Sequence, residues 1–221
     1  MLKSCWQALL DLLYPPRCPA CGSATPVQGA WCRLCLPELL PLRELAAGGR
    51  RPRPLSLCLT IVPYSGTVRQ LLHRLKFRPD RRAAGYLAWL LCNRVNWNKL
   101  PPPELVIPVP LSPQREAWRG FNQTELLFRG WSEKQGYCWA DLLRRRRDTQ
   151  PQWQLPPLQR RRNIKAAFAV RHPEQLRGKT VLLVDDILTT GFTMAECAQT
   201  LRRAGAGEVY GLALASGAAD W

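Results

Sequence analysis

The chain has 221 residues, of which 46% are hydrophobic, so it can bury the core of one α/β domain with a small appendage, and disorder is not expected. Thirty-two Lys and Arg against sixteen Asp and Glu give a net charge of +16, which favours polyanionic partners: phosphates, nucleic acid or an anionic membrane surface. No apolar stretch approaches the ~20 residues of a membrane span, and Asp11 interrupts a short N-terminal apolar run that lacks a signal-peptide cleavage site. We therefore expect a cytoplasmic protein with reduced cysteines.

Hydrophobic periodicity predicts an N-terminal appendage followed by alternating strands and helices. Residues 4–13 have the apolar spacing of a short helix, and two cysteine pairs follow it. Predicted strands then cover 57–64, 105–110, 179–186 and 208–215, and predicted helices cover 67–77, 86–95, 122–134 (with Asn122 as N-cap) and 193–206. This alternation favours an α/β fold with a doubly wound, mainly parallel sheet. We therefore divide the chain into an N-terminal module (1–40), a linker rich in Pro, Gly and Arg (41–56) and an α/β domain (57–221).

The N-terminal module contains two Cys-x-x-Cys pairs separated by ten residues: Cys18, Cys21, Cys32 and Cys35. Each pair can place two thiolates on one ion, so together they predict a tetrahedral zinc site in a small zinc ribbon. Because the protein fills all four positions, we expect the zinc to be structural and not catalytic. The remaining cysteines lie in apolar segments and are predicted to be core residues: Cys5, Cys58, Cys92, Cys138 and Cys197.

The segment VLLVDDILTTGFT (181–193) is the most informative part of the chain. An apolar strand ends in Asp185 and Asp186, and a turn rich in Thr then leads into a helix. Ligands of open α/β sheets bind at the carboxyl ends of the strands, and hydroxyl residues with a glycine at a helix N-terminus offer donors to a phosphate. The two carboxylates suit sugar hydroxyls or a divalent cation. The pattern therefore indicates a site for a phosphorylated ribose.

This segment resembles the phosphoribosyl-pyrophosphate (PRPP) motif of type I phosphoribosyltransferases. The resemblance implies that Asp185 and Asp186 contact the 2′ and 3′ hydroxyls of the ribose. It also implies a loop around the 5′-phosphate, made of Thr189, Thr190, Gly191, Phe192 and Thr193. Phe192 departs mildly from the family pattern, because a smaller residue often stands at that position.

Further segments resemble the ComF/GntX family, whose members join an N-terminal zinc ribbon to a type I phosphoribosyltransferase-like domain. They are LVIPVPLSPQREAWRGFNQ (105–123), YSGTVRQLLHRLKFRPD (64–80), centred on Lys76 and Phe77, and LQRRRNIKAAF (158–168), with Arg161 and Asn163. The resemblance extends from Cys18 to about Ala215. It implies a pyrophosphate loop at Pro108, Val109, Pro110 and Leu111, and a mobile substrate-covering loop with Arg115, Arg119, Gly120, Asn122 and Gln123. Guanidinium groups suit pyrophosphate, and Gly120 would act as a hinge.

Two hypotheses about function remain open. In the first, the chain binds PRPP or a nucleotide and takes part in competence DNA uptake or the use of external DNA, as the resemblance implies. Its partners would be single-stranded DNA and other DNA-uptake proteins. A zinc ribbon, nine Trp and the positive charge fit such contact, although Trp residues usually fill cores. In the second, it is an active enzyme that transfers ribose 5-phosphate from Mg²⁺-bound PRPP to a nitrogenous acceptor, for which no recognition segment is evident.

Overall fold

The computed structural model describes residues 12–39, 43–45, 54–94, 100–146 and 164–217. Most of the helix predicted at 4–13 lies outside these ranges, as do Cys5, Arg161 and Asn163. Within the described residues, no helix combines the length and apolar character needed to cross a membrane.

A mixed but mainly parallel sheet organises the described part of the chain. Its strands are β1 (Arg43–Leu45), β2 (Leu57–Pro63), β3 (Leu105–Pro108), β4 (Cys138–Trp139), β7 (Val181–Leu188) and β8 (Val209–Ser216), in the order β1-β2-β8-β7-β3-β4. All neighbours pair in parallel except β1, which runs antiparallel to β2 at one edge. Two further strands, β5 (Leu143–Arg145) and β6 (Phe168–Val170), form a separate antiparallel pair. The predicted α/β fold class is confirmed.

Helices cover both faces of this sheet. They are α1 (Gly66–Phe77), α2 (Arg81–Arg94), α3 (Pro113–Arg119), α4 (Gln123–Lys134) and α5 (Phe192–Arg203). Successive side chains of a strand point to opposite faces, so Leu182 and Val184 pack in the cluster that contains α1, α2 and α4. Val181 and Leu183 pack on the other side, against α5 and the β5–β6 pair. The sheet is therefore doubly wound, as predicted.

Several short elements were not predicted from the sequence. Strand β1 lies inside the segment expected to be a linker, and it extends the sheet through its pairing with β2. Strand β7 continues to Leu188, so the two aspartates lie within the strand and not after it. Two of the cysteines predicted for the core, Cys92 and Cys138, are exposed, whereas Cys58 and Cys197 are buried as expected.

The N-terminal cysteine module packs directly on helix α2. The indole Nε1 of Trp31, which is 4% exposed, donates to the carbonyl oxygen of Tyr86 at 3.0 Å. Gly29 approaches the backbone of Gly85 so closely that an added Cβ would lie 3.1 Å from its carbonyl oxygen. Cys18 and Trp31 belong to the same apolar cluster as α1 and α2. Residues of the N-terminal module therefore contribute to the apolar core on the α1 and α2 side of the sheet.

Candidate functional site

The acid pair lies at the carboxyl end of a central strand. Strand β7 runs between β8 and β3, and Asp185 and Asp186 are near its end. The backbone then bends at Thr189 and Thr190, and Gly191 begins α5 with φ +67°, a left-handed conformation that costs glycine little. The predicted phosphate loop therefore joins the end of a strand to the start of a helix, where backbone N–H groups can meet an anion.

The surroundings of Asp185 disfavour its charged form. Burial and the neighbouring Asp186 carboxylate raise the pKa of Asp185 well above its usual range, while the Lys76 ammonium acts in the opposite direction. The Asp185 Oδ1 accepts from the backbone N–H of Asp186 at 2.8 Å and from the Thr124 hydroxyl at 3.5 Å. The carboxylate is thus held in place beside a cation while it remains poorly hydrated.

Gln123 connects the other aspartate to an arginine. Its Nε2 donates to Oδ2 of Asp186 at 3.2 Å, and its Oε1 accepts from Nη1 of Arg119 at 2.7 Å. Burial lowers the pKa of Arg119, Asp186 raises it, and the nearby Arg115 lowers it again. The guanidinium groups of Arg115 and Arg119 therefore interact with each other, and Arg119 also interacts with Asp186. The Nε of Arg119 is buried and has no hydrogen-bond acceptor among the described residues.

The start of the predicted pyrophosphate loop is adjacent to the acid pair. The N–H of Val109 donates to the carbonyl oxygen of Val184, the residue before Asp185, at 2.9 Å. The carbonyl oxygen of Val109 accepts from Nδ2 of Asn122 at 3.5 Å. Asn122 is also the N-cap of α4, as predicted, because its Oδ1 accepts from the N–H of Thr124 at 2.9 Å. One side chain thus anchors both the loop and the helix that carries Gln123.

Most of the residues predicted to lie on a mobile loop belong to two helices. Arg115 and Arg119 belong to helix α3, and Gln123 is the first residue of α4. Gly120, predicted to be a hinge, is the C-cap of α3 with φ +73°, and its N–H donates to the carbonyl oxygen of Glu116 at 2.7 Å. This glycine therefore ends a helix.

Two further residues adjoin the site but were not assigned to it from the sequence. Lys76 acts on Asp185 electrostatically, and its Nζ lies 6.0 Å from the ring centroid of Tyr64. Tyr64 lies at the predicted phosphate loop, because a Cβ built on Gly217 would be 3.8 Å from the Tyr64 ring and 3.9 Å from the Thr189 methyl. Lys76 is at the centre of the 64–80 block, so its family resemblance was a signal for this position; Tyr64 carried no separate signal.

A cavity of about 440 Å³ lies beside the predicted pyrophosphate loop. Pro108, Pro110 and Leu111 line one side, and the indole of Trp139 and the arginines of the β5–β6 pair line another. Neither aspartate of the acid pair lines it. The cavity is therefore adjacent to the candidate site but does not contain the acid pair.

The four cysteines of the N-terminal module form a metal-binding cluster. Their Sγ atoms all lie within 4.8 Å of one another, and those of Cys21 and Cys32 are 3.6 Å apart. A tetrahedral zinc with bonds of about 2.3 Å needs sulfur atoms about 3.8 Å apart, so the cluster fits the ion. Hydrogen bonds with Ser23, and then with Cys32 and Cys35, lower the pKa of Cys21 to about 6, whereas hydrogen bonds with Cys21 and Cys32 raise the pKa of Cys35. The four-cysteine cluster supports the predicted structural zinc.

Family models match both parts of the chain. A double zinc ribbon domain matches residues 9–46 and a phosphoribosyl transferase domain matches residues 141–221. The first range contains four cysteines and no histidine, which is a complete ligand set for one zinc ion. The chain is therefore a zinc ribbon joined to a phosphoribosyltransferase domain.

Known relatives identify the family. The chain is 34% identical to DNA utilization protein YhgH of Salmonella typhi over 213 residues, which are 93% of each chain. It is 32% identical to competence protein F of Haemophilus influenzae, over 90% of this chain and 85% of that protein. Competence protein ComFC of Streptococcus pneumoniae is 31% identical over 67% of this chain and 63% of that one. The chain belongs to this ComF/YhgH family, as its sequence motifs predicted.

Among solved structures, the allosteric regulatory enzyme of purine biosynthesis is 23% identical, with a TM-score of 0.36 over 57% of this chain and 24% of that one. This likeness is too distant to inform the site.

Proposed function

We propose that the chain binds PRPP at the acid pair and acts in the use of external DNA or in competence. The observation that carries the proposal is the contact of Gln123 with both Asp186 and Arg119. It joins two sequence motifs that were each predicted, from different segments, to bind opposite ends of PRPP. The carboxylate pair lies in β7, the phosphate loop follows it in the chain, and Arg119 interacts electrostatically with Asp186.

Each part of the site has a chemical role in this proposal. Asp185 and Asp186 accept hydrogen bonds from the ribose hydroxyls, and the loop from Thr189 to Thr193 binds the 5′-phosphate through N–H and hydroxyl donors. Arg115 and Arg119 bind the pyrophosphate, which would also supply the acceptor that the buried Nε of Arg119 lacks among the described residues. Mg²⁺ would enter with PRPP and neutralise part of its charge.

The biological role in the proposal comes from the relatives named for DNA utilization and competence. Single-stranded DNA and other DNA-uptake proteins are the partners that such a role requires, and the +16 charge supports the former. A cytoplasmic location is also part of the proposal, because the ribbon cysteines must stay reduced to bind zinc.

Isothermal titration calorimetry of the zinc-loaded protein with PRPP and Mg²⁺ tests the proposal. The site variant is Asp185→Asn with Asp186→Asn, which keeps the shape of both side chains and removes their charge. A matched control is Glu133→Gln with Glu174→Gln, which makes the same change in net charge at two exposed residues. We expect the wild type and the control to bind and the site variant not to bind.

Two outcomes would contradict the proposal. Equal affinity in the site variant would show that PRPP binds elsewhere, and no binding by the wild type would reject PRPP as the ligand.

The second candidate function is active phosphoribosyl transfer. Its support is that the acid pair and the phosphate loop follow one another at the end of β7, that Arg119 interacts with Asp186, and that no part is replaced by an unsuitable residue. Positioning and neutralisation of the leaving pyrophosphate would then supply most of the rate enhancement. Release of pyrophosphate from PRPP in the presence of a panel of nitrogenous acceptors tests this function, and a site variant that releases it equally fast would refute it.

A further inference from the structure

Two large aromatic side chains are exposed and touch each other. Phe77, at the end of α1, is 61% exposed, and Trp118, near the end of α3, is 66% exposed. Their ring centroids are 6.0 Å apart with the rings perpendicular. His73, one helical turn before Phe77, lies 4.7 Å from it. Together His73, Phe77 and Trp118 form an aromatic platform.

Cationic residues flank Phe77 of the aromatic platform in the sequence. Arg69 is one turn before His73 on the same face of α1, and Arg78, Arg81 and Arg82 follow Phe77 in sequence. All four are exposed. The nearest acid in this segment, Asp80, is already paired with Arg74. Glu116 precedes Trp118 on α3 but is outnumbered by Arg115 and Arg119, so the segments that carry the platform have a net positive charge, which favours a partner with repeated negative charges.

The aromatic platform is adjacent in sequence to two residues of the candidate PRPP site. Phe77 directly follows Lys76, which acts electrostatically on Asp185. Trp118 directly precedes Arg119, which is bound through Gln123 to Asp186. Each of the two aromatic residues is therefore the chain neighbour of a residue that interacts with the acid pair.

We propose that the aromatic platform stacks the unpaired bases of a single strand of nucleic acid while the flanking arginines contact its phosphates. Exposed aromatic rings interleaved with cations are the combination that single strands require, because every base presents a π-face and every linkage a charge. A duplex hides those faces between its own base pairs, and a free phosphate has none. The inference rests on the proposed function for its class of partner and goes beyond it by assigning the residues that bind.

Fluorescence anisotropy with two labelled strands of equal length tests the proposal in the zinc-loaded full chain. One strand is oligothymidylate, and the other is an abasic strand with the same phosphates and no bases. The test variants are Trp118→Ala and Phe77→Ala, and Trp118→Phe restores a ring at the first position. Tyr14→Ala is the matched control, because Tyr14 is also 61% exposed but lies in the N-terminal module.

We expect each alanine variant to bind oligothymidylate about 5- to 160-fold more weakly, the range for one lost base stack of about 1–3 kcal/mol. Binding of the abasic strand should not change, and Trp118→Phe should recover most of the loss. The salt dependence should stay the same, because no phosphate contact is removed. In contrast, Arg78→Ala should weaken both strands and reduce the slope of log K against log salt by about 0.7.

Three results would overturn the inference: no binding of oligothymidylate by the wild type, no change in the alanine variants, or equal loss for both strands. If the platform binds a protein and not a single strand, the wild type will not bind oligothymidylate, which is the first of these results. Calorimetry with PRPP separates this inference from the proposed function, because Trp118→Ala and Phe77→Ala should bind PRPP as the wild type does. If the wild type binds the strand but not PRPP, PRPP is rejected as the ligand of the acid pair, and the strand-binding role of the aromatic platform is supported.

Discussion

Replacing Gln123 by leucine should weaken both the fold and the PRPP site. Gln123 is 5% exposed and makes two hydrogen bonds to charged partners, Asp186 and Arg119. Hydrogen bonds to charged groups contribute about 1.5–3 kcal/mol each. Their full sum will not be lost, because Arg119 and Asp186 attract each other and leucine buries more apolar surface. We expect the free energy of unfolding to fall by about 2–4 kcal/mol.

Urea denaturation followed by tryptophan fluorescence measures this change. With a slope of about 2 kcal/mol per molar urea, the midpoint should fall by about 1–2 M. PRPP affinity should also fall about tenfold or more, because Asp186 and Arg119 lose the group that fixes their relative position. The matched control is Gln70→Leu, an exposed glutamine on α1, which should change stability by less than about 0.5 kcal/mol. If Gln123→Leu behaves like this control in both assays, the bridge has neither a structural nor a binding role.

Three further substitutions test other parts of the structure. Asp185→Asn should raise the melting temperature at pH 7–8, because the pKa of Asp185 is raised in the folded state and its ionisation destabilises the fold. That gain should vanish as the pH falls towards the unfolded pKa of about 3.9, and a gain that grew with acidity would show that the sign is wrong. Cys21→Ser should abolish stoichiometric zinc, measured by atomic absorption, and lower the melting temperature; unchanged metal content would refute the four-cysteine site. Trp31→Phe should cost about 1–3 kcal/mol of unfolding free energy in urea, because the Tyr86 carbonyl loses its donor, and no change would mean that this contact does not hold the zinc ribbon on α2.

The elements predicted correctly are those that fill the two cores. The strand at Val181–Leu188 and the helix at Phe192–Arg203 are long enough to show a clear apolar period, so their type followed from the sequence. Helix α3 has seven residues and buries none of them, so it has no apolar face to detect. The strands of two or three residues are likewise too short to show an alternation.

The composition of the candidate site was more predictable than its internal contacts. Acid residues followed by a Thr-Thr-Gly turn indicate partners for sugar hydroxyls and for a phosphate, so the acid pair and the loop could be identified from local sequence. The bond between Gln123 and Asp186 joins residues 63 positions apart, and no local pattern predicts it. Asp185 and Lys76 are brought together only by the packing of α1 on the sheet. Where the side chains of different elements meet depends on tertiary structure, which a single sequence does not provide.

The docking of the zinc ribbon has a consequence for how the protein matures during synthesis. Trp31 and the residue that accepts its hydrogen bond are 55 positions apart, so the ribosome makes the cysteine cluster well before helix α2. At about 5–20 residues per second, about 3–11 seconds separate the two. Within that interval the thiolates can take up zinc without competition from the core, and Cys18 is buried in the finished molecule. We therefore expect a shortage of zinc to lower the yield of newly made protein more than the amount of protein already folded.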